Sequence, residues 1–324
     1  MHQSLFFKLF PPPIFMARRF AGLEISDDAL RCLQYESTIH GPIIRRYDEV
    51  DMPEDTIVGG DIKNEVVLLD LLAKFVAKNK LSHVNVSVPE EKAYLFQTDV
   101  TGKTMRDVAQ NIEFKLEENV PLAARDAVFY FDIMPTETTG GVLRASVSVV
   151  PRTYIEMQIS ILQKVGVLPI AFEVVPKSIA RAALQNTLGK TSMIIHIMKH
   201  KTGIYIVSNG VVCFTSTVAN KISVMGQPVA GPTDSFIELL SREISHTLTY
   251  WATKSAARVD EVILAGIDAE QYRSKLAVKS SVGGRPVSIA DAWRNMIDID
   301  HYIPTIPKSA SQNYIVAAGL AIDS

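Results

Sequence analysis

Apolar positions fall in short runs along most of this chain, and the spacing of the runs changes from one stretch to the next. The stretch 192–218 holds three in succession. Residues 193–198 are apolar and Ile-rich, 199–202 are polar, 204–207 are apolar, and 211–218 are apolar again. Between the last two stands Asn209-Gly210, the pair that best accepts positive φ in a tight hairpin turn. The pattern predicts a three-stranded meander. Residues 20–35 predict a strand, a polar turn at Ser26-Asp27-Asp28 and a second strand, with a third at 40–47. From 63 to 80 the period lengthens: Val66, Val67, Leu69, Leu71, Leu72, Phe75 and Val76 mark one buried helical stripe. A strand at 84–88, closed by Pro89, completes a β-β-β-α-β order.

The segment 93–166 has a different rhythm. A strand at 93–100 precedes an amphipathic helix at 104–118, with Met105, Val108, Ile112 and Leu116 on one face; Asn119-Val120-Pro121 stops it. Strands at 127–133 and 143–150 are joined by a Thr/Gly-rich turn at 136–141. A helix at 154–165 ends at Gly166. This reads as a self-contained α+β module. A strand at 170–174 and a helix at 176–188 return to the earlier style. After the meander come a loop at 227–233 and a helix at 234–254 striped by Phe236, Leu239, Leu240, Ile244, Leu248 and Trp251. A buried strand at 261–265, a helix at 269–276, a strand near 285–288 and a final apolar helix at 311–322, broken at Gly319, close the chain. The whole predicts two β-β-β-α-β-like halves, one carrying an inserted module.

Composition narrows the function. A chain of 324 residues has room for two or more domains, and 47% hydrophobic with 21% charged residues is an ordinary globular balance. A net charge of −2 and a pI near 6.4 supply no global field for nucleic acid. Cys32 and Cys213 lie far apart inside apolar runs and read as small buried hydrophobes of a reducing compartment. No apolar run reaches the about 18 residues of a membrane-spanning helix. The segment 4–15, SLFFKLFPPPIF, fits a signal peptide poorly, because Lys8 interrupts it and no small-residue cleavage site follows. Two readings stay open for it. One is a loose tail. The other is a membrane-touching foot, with Phe6, Phe7, Leu9 and Phe10 in the interface beside Lys8, Arg18 and Arg19.

Other chemical signals are weak. His196 and His200 have a His-x3-His spacing that holds zinc on a helix. Here they flank a strand end and a turn with no third ligand, so a neutral, partly buried imidazole is the expectation. Lys199, His200 and Lys201 can attract an anion, though a solvated charged turn is the commoner outcome. Gly189-Lys190-Thr191 looks like the end of a phosphate-binding loop, but Leu184 stands where its first glycine is required. No Gly-x-Ser-x-Gly motif supports a serine nucleophile.

Specific stretches carry a family resemblance. They are LFPPP with GLEISDDALRCLQ, IEFKLEENVPL with AVFYFDI, and SVSVVPRTYIEMQISILQKVGVLP with FEVVPKSIARAAL. TGIYIVSNGVVCFTSTV, EISHTLTYWATKS, EVILAG and AAGLAI follow in order over nearly the whole chain. The chain resembles the PilM family of type IV pilus assembly proteins, relatives of the cell-division protein FtsA in the actin-like ATPase superfamily. The resemblance implies an α/β, two-lobed, actin-like ATPase (ribonuclease H-like) fold with an inserted α+β module in the first lobe. It divides the chain into a tail at 1–17, a first lobe at 18–92, the module at 93–166 and a first-lobe return at 167–191. The second lobe is 192–308, and a C-terminal helix at 309–324 packs on the first lobe.

The resemblance also implies a site for ATP with Mg²⁺ between two facing hairpins, whose backbone N–H groups hold phosphates while an Asp in each holds the metal. The matching positions here are Glu24, Ser26 and Asp27, with Arg31 after the turn, and His196, Thr202, Gly203 and Gly266. Glu24 and His196 replace the two aspartates. Met198 replaces a glycine, Ala265-Gly266 replaces Gly-Gly, and 220–233 is too short for the helix that carries an adenosine-binding Glu and Lys. These departures argue against efficient hydrolysis and leave no catalytic or metal-ligating residue assigned. The function implied is a cytoplasmic scaffold, peripheral at the inner face of the cytoplasmic membrane. It would capture the N-terminal tail of a PilN-like partner in a groove between the first lobe and the module, alongside other inner-membrane platform proteins, with nucleotide binding weak or lost. The alternatives are an active ATPase that closes its lobes on ATP, and an FtsA-like membrane tether or filament former.

Overall fold

A computed structural model describes residues 20–135, 142–219, 223–224, 227–228, 234–277 and 282–322. The first sheet grows from the first meander: β1 (Ala21–Ile25), β2 (Ala29–Thr38) and β3 (Gly41–Asp51) run antiparallel. A two-residue pair, β4 (Ile57–Val58) and β5 (Asp61–Ile62), precedes the helix α1 (Glu65–Asn79). The apolar alternation of the sequence does not reveal that small hairpin. The strand β6 (His83–Val88) then returns parallel to β1.

The chain next leaves for the module, made of β7 (Tyr94–Val100), α2 (Met105–Asn119), β8 (Ala127–Met134) and β9 (Leu143–Pro151). Its sheet has the order β7-β9-β8, antiparallel throughout. Thr104 caps α2 through a reciprocal pair of bonds with Asp107. Val108, Ile112 and Leu116 of α2 pack on Ala145, Val147 and Val149 of β9. The opposite face of the module meets the meander beyond it. α3 (Arg152–Lys164) leads back to β10 (Leu168–Val174), which lies parallel to β6, and α4 (Val175–Ala183) follows.

The second sheet repeats the plan. β11 (Thr191–Ile197), β12 (Lys201–Ser208) and β13 (Val211–Ala219) form the antiparallel meander. Asn209 at φ 53° and Gly210 at φ 81° make the tight turn that their residue types demand. After a short pair, β14 (Ser223–Val224) and β15 (Gln227–Pro228), come α5 (Asp234–Lys254), β16 (Glu261–Gly266), α6 (Ala269–Ala277) and β17 (Val287–Ile289). Counted along the chain, both five-stranded sheets have the order 3-2-1-4-5: β3-β2-β1-β6-β10 and β13-β12-β11-β16-β17.

Packing builds five layers from these elements. One face of the first sheet buries Leu23, Val84 and Val86 against Leu68, Leu72 and Phe75 of α1 and Leu162 of α3. One face of the second buries Met193, Ile195 and Ile206 against Leu240 and Ile244 of α5 and Tyr272 of α6. Between the sheets lie α4 and the closing segment, where Ile179 and Ala182 meet Ile315, Ala317 and Ala318, with Ile194, Val207 and Ile263 on the far side. Each such Leu or Ile contributes about 1.5–3 kcal/mol over its exposed state.

Three expectations change. The helix expected at 176–188 stops at Ala183, where Leu184 turns extended, and positive-φ Asn186 and Gly189 make a linker instead. The final helix is two pieces, α7 (Lys308–Ser311) and α8 (Ile315–Leu320), split by a 3-10 turn at Gln312–Tyr314. Gly319 lies inside α8 rather than breaking it; a Cβ there would stand 1.9 Å from the Ser178 carbonyl oxygen, so glycine permits the crossing of α8 and α4. The N-terminal tail at 1–17, the turn at 136–141 and most of the loop at 227–233 lie outside the described residues. Among the described residues no helix is long and apolar enough to cross a membrane.

Candidate functional site

The two antiparallel hairpins present their turns to one another. In the first, strand register places Glu24 opposite Arg31. Arg31 Nη1 stands 3.3 Å from Glu24 Oε1, while its Nε and Nη2 both reach Glu49 Oε1 at 2.8 Å. Glu24 is buried, and its Oε2 has no hydrogen-bond partner. Burial pushes its carboxyl up to about 7, helped by Asp28 and Glu49 and opposed by the Arg31 guanidinium.

The turn residues are already occupied. Ser26 Oγ donates to the Ala29 carbonyl at 3.0 Å and accepts from the Ala29 N–H at 3.2 Å, closing its own turn. Asp27 accepts from the Gly59 and Gly60 amides at 2.7 and 3.1 Å, so the unanticipated hairpin β4–β5 brings donors to this carboxylate. Asp28 reaches across to the other hairpin: its Oδ2 accepts the Lys199 N–H at 2.7 Å, and its Oδ1 lies 3.9 Å from His200 Nε2.

In the second hairpin, His196 pairs with Gly203 on one side and Ala265 on the other. It is buried, and its Nδ1 has no partner. Burial pushes its pKa down to about 3, with the Arg31 and Lys201 charges adding to the effect, so the imidazole is neutral. Thr202 is fully buried opposite Ile197. Gly203 has no room for a side chain, since a Cβ would meet Tyr205 Oη at 2.0 Å. Gly266, at φ 91°, lies against β11, where a Cβ would meet the Ile197 carbonyl oxygen at 2.0 Å. Met198 is buried at the turn and donates its N–H to the Lys201 carbonyl at 2.9 Å.

The expectation of a solvated charged turn holds for Lys199 and His200 but is corrected for Lys201. That side chain is buried, and its Nζ pairs with Glu91 Oε1. Burial works against its charge, but Glu90, Glu91 and Asp27 outweigh burial and raise its pKa. Beside it, Tyr205 Oη donates to Glu90 Oε1 at 2.9 Å. Burial raises the Glu90 carboxyl, and Glu91 adds to this against the pull of Lys201. Asp28, Glu90, Glu91 and Tyr205 did not stand out from the sequence as site residues. The legible signal was Glu90-Glu91 directly after a buried strand, where carboxylates need partners. Two pockets of about 160 and 260 Å³ lie elsewhere, beside the start of β16 and the end of α5, and neither reaches the hairpin turns.

Two 3-2-1-4-5 sheets, each led by an antiparallel hairpin and sharing central helices, define a two-lobed actin-like ATPase fold with the module inserted in its first lobe. The corresponding chain of a PilM-PilN type IV pilus biogenesis complex has this fold: TM-score 0.77 at 14% identity, over 93% of this chain and 97% of that one. The ethanolamine utilization protein EutJ from Carboxydothermus hydrogenoformans aligns with a TM-score of 0.48 at 11% identity, over 96% of this chain and 90% of that one. The cytoplasmic domain of EpsL, an inner-membrane component of the Vibrio cholerae type II secretion system, aligns at 0.47 and 9% identity, over 77% of this chain and 83% of that one. No family model and no curated protein matches the sequence.

Proposed function

We propose that this protein is a scaffold of a type IV pilus assembly complex that captures the N-terminal tail of a PilN-like partner, with nucleotide binding weak or lost. The likeness to the chain of the PilM-PilN complex carries the reading, because it extends over nearly the full length of both chains. A peptide site suits the junction of the first sheet and the module. β10 and β8 are outer strands of their sheets, and outer strands offer unpaired backbone groups to an extended peptide. Lys177 of α4, the helix that follows β10, bonds Asp132 of β8 at 2.8 and 3.0 Å and lies 3.6 Å over the Tyr130 ring, which ties the start of α4 to the edge of the module. Val128, Tyr130, Leu168 and Ile170 on these strands are exposed and supply apolar contacts for a tail.

The nucleotide part of the proposal rests on the hairpins. Ser26, Asp27 and Asp28 are bonded to protein groups, His196 is a neutral imidazole that offers Mg²⁺ no hard oxygen, and Met198 fills its turn. Such a scaffold works at the inner face of the cytoplasmic membrane, where a partner's cytoplasmic tail is within reach.

Calorimetric titration with a synthetic PilN-like tail peptide tests the partner. Saturable binding in the micromolar range is expected, and no heat at high micromolar peptide would sink the reading. A parallel titration with ATP and Mg²⁺ is expected to be flat; tight Mg²⁺-dependent binding would remove the nucleotide clause and favour the ATPase alternative.

A further inference from the structure

We infer that three carboxylates of the first lobe, Asp28, Glu90 and Glu91, act as an internal substitute for bound phosphate and hold the two lobes closed without a nucleotide. The inference rests on the proposed loss of nucleotide binding. Its geometry is one-sided in charge. The three carboxylates belong to the first lobe: Asp28 in the β1–β2 turn, and Glu90 and Glu91 just after β6. The donors they engage belong to the second lobe: the Lys199 N–H, the Lys201 ammonium and the Tyr205 hydroxyl, on the β11–β12 turn and β12. His200 Nε2, 3.9 Å from Asp28, belongs to the same turn. In an ATP-driven relative of this fold, the anion that both hairpins grip would be the ligand. Here the anions are built into one lobe.

Burial gives the latch its strength. The Asp28 side chain is 7% exposed and that of Lys201 is 11% exposed, so both charged groups are largely withdrawn from water although Lys199 and His200 of the facing turn lie at the surface. A hydrogen bond between a carboxylate and a backbone N–H is among the stronger kinds, and three cross-lobe contacts break together when the lobes part. The contacts join segments 110 to 171 residues apart in sequence, so they report lobe closure rather than local turn structure.

Hydrogen–deuterium exchange at the Lys199 amide of the full chain, without nucleotide, tests this. Wild type is expected to protect that amide. Asp28→Ala should speed its exchange about tenfold or more, while Asp28→Asn, whose amide oxygen still accepts, should restore much of the protection. Tyr205→Phe removes a different contact of the seam while keeping the ring, and should speed exchange at the same amide severalfold. It carries the test if Asp28→Ala does not fold. Rapid exchange in wild type, or identical rates in the variants, overturns the latch. Repeating wild type with millimolar ATP and Mg²⁺ separates the two claims: saturable ATP binding would refute the lost site, while protection in the nucleotide-free protein would still uphold the latch.

Discussion

The two leading hairpins share one frame and differ at their tips. β1–β2 and β11–β12 are antiparallel pairs in the same place of two sheets with the same strand order, and β1 and β11 are both buried along their whole length. The first tip is Ser26-Asp27-Asp28, short and rich in oxygen. The second is Met198-Lys199-His200, bulky and cationic. The flanking charged and polar pairs differ as well: Glu24 sits against Arg31, whereas His196 sits against Gly203. Burial of the strands constrains the frame, since a change there empties or overfills a core. The tips answer only to what they touch. In this protein they touch each other, acceptor to donor, which turns two equivalent turns into complementary halves of one contact.

Four measurements would break or sharpen that comparison, the largest effect first. Gly266→Ala forces a Cβ toward the Ile197 carbonyl at a backbone conformation that side chains resist, so it should destabilise the second lobe by roughly 2–4 kcal/mol in denaturant melts. A loss below about 0.5 kcal/mol would show that the second frame is looser than drawn. Glu91→Ala leaves the buried Lys201 without its ion-pair partner but still near Glu90 and Asp27, and should cost about 2–3 kcal/mol, less than the full price of a lone buried charge. Equal stability to wild type would mean that the seam is open in solution.

The third concerns pH, where the hairpins pull in opposite directions. Glu24 titrates at about 7 folded against 4.5 unfolded, so the folded state holds the extra proton and stability is lost as pH rises from 4.5 to 7. His196 titrates at about 3 folded against 6.5 unfolded, so the unfolded state holds the extra proton and stability is lost as pH falls from 6.5 to 3. From 4.5 to 6.5 the two slopes cancel. Glu24→Gln should therefore expose a loss on acidification approaching about 1.4 kcal/mol per pH unit, and His196→Asn a gain of similar size. Parallel pH profiles for the two variants would refute the opposed assignments. The smallest effect is expected from Ser26→Ala, which removes one hydroxyl from the first tip and should cost about 1 kcal/mol or less in the same melts.

Much of this molecule was legible in one dimension. The meanders, the stripe of α1, the module with its Thr104 start and the Asn209-Gly210 turn all follow from periods and turn chemistry that act within a few residues. The candidate positions Glu24, Ser26, Asp27, His196, Thr202, Gly203 and Gly266 came from resemblance; the fold places the first six on two facing hairpins and Gly266 at the end of β16 beside the second. What they bond to was not legible. Ser26 closes its own turn, and Asp27 is held by a hairpin too short to leave a pattern. The split of the last helix at Gln312–Tyr314 was hidden too, because its residues are all acceptable in a continuous helix.

The sequence alone determined the main strands and helices, their order and the duplication of a β-β-β-α-β plan, because hydrophobic period and turn preference are local properties. Tertiary structure decided which charges are buried and whom they meet. Lys201 reads as a solvated turn residue until Glu91 arrives from 110 positions away, and Asp28 is an ordinary turn aspartate until the Lys199 amide is set against it. Pairing and desolvation depend on the approach of distant segments, and no spacing along the chain encodes that approach.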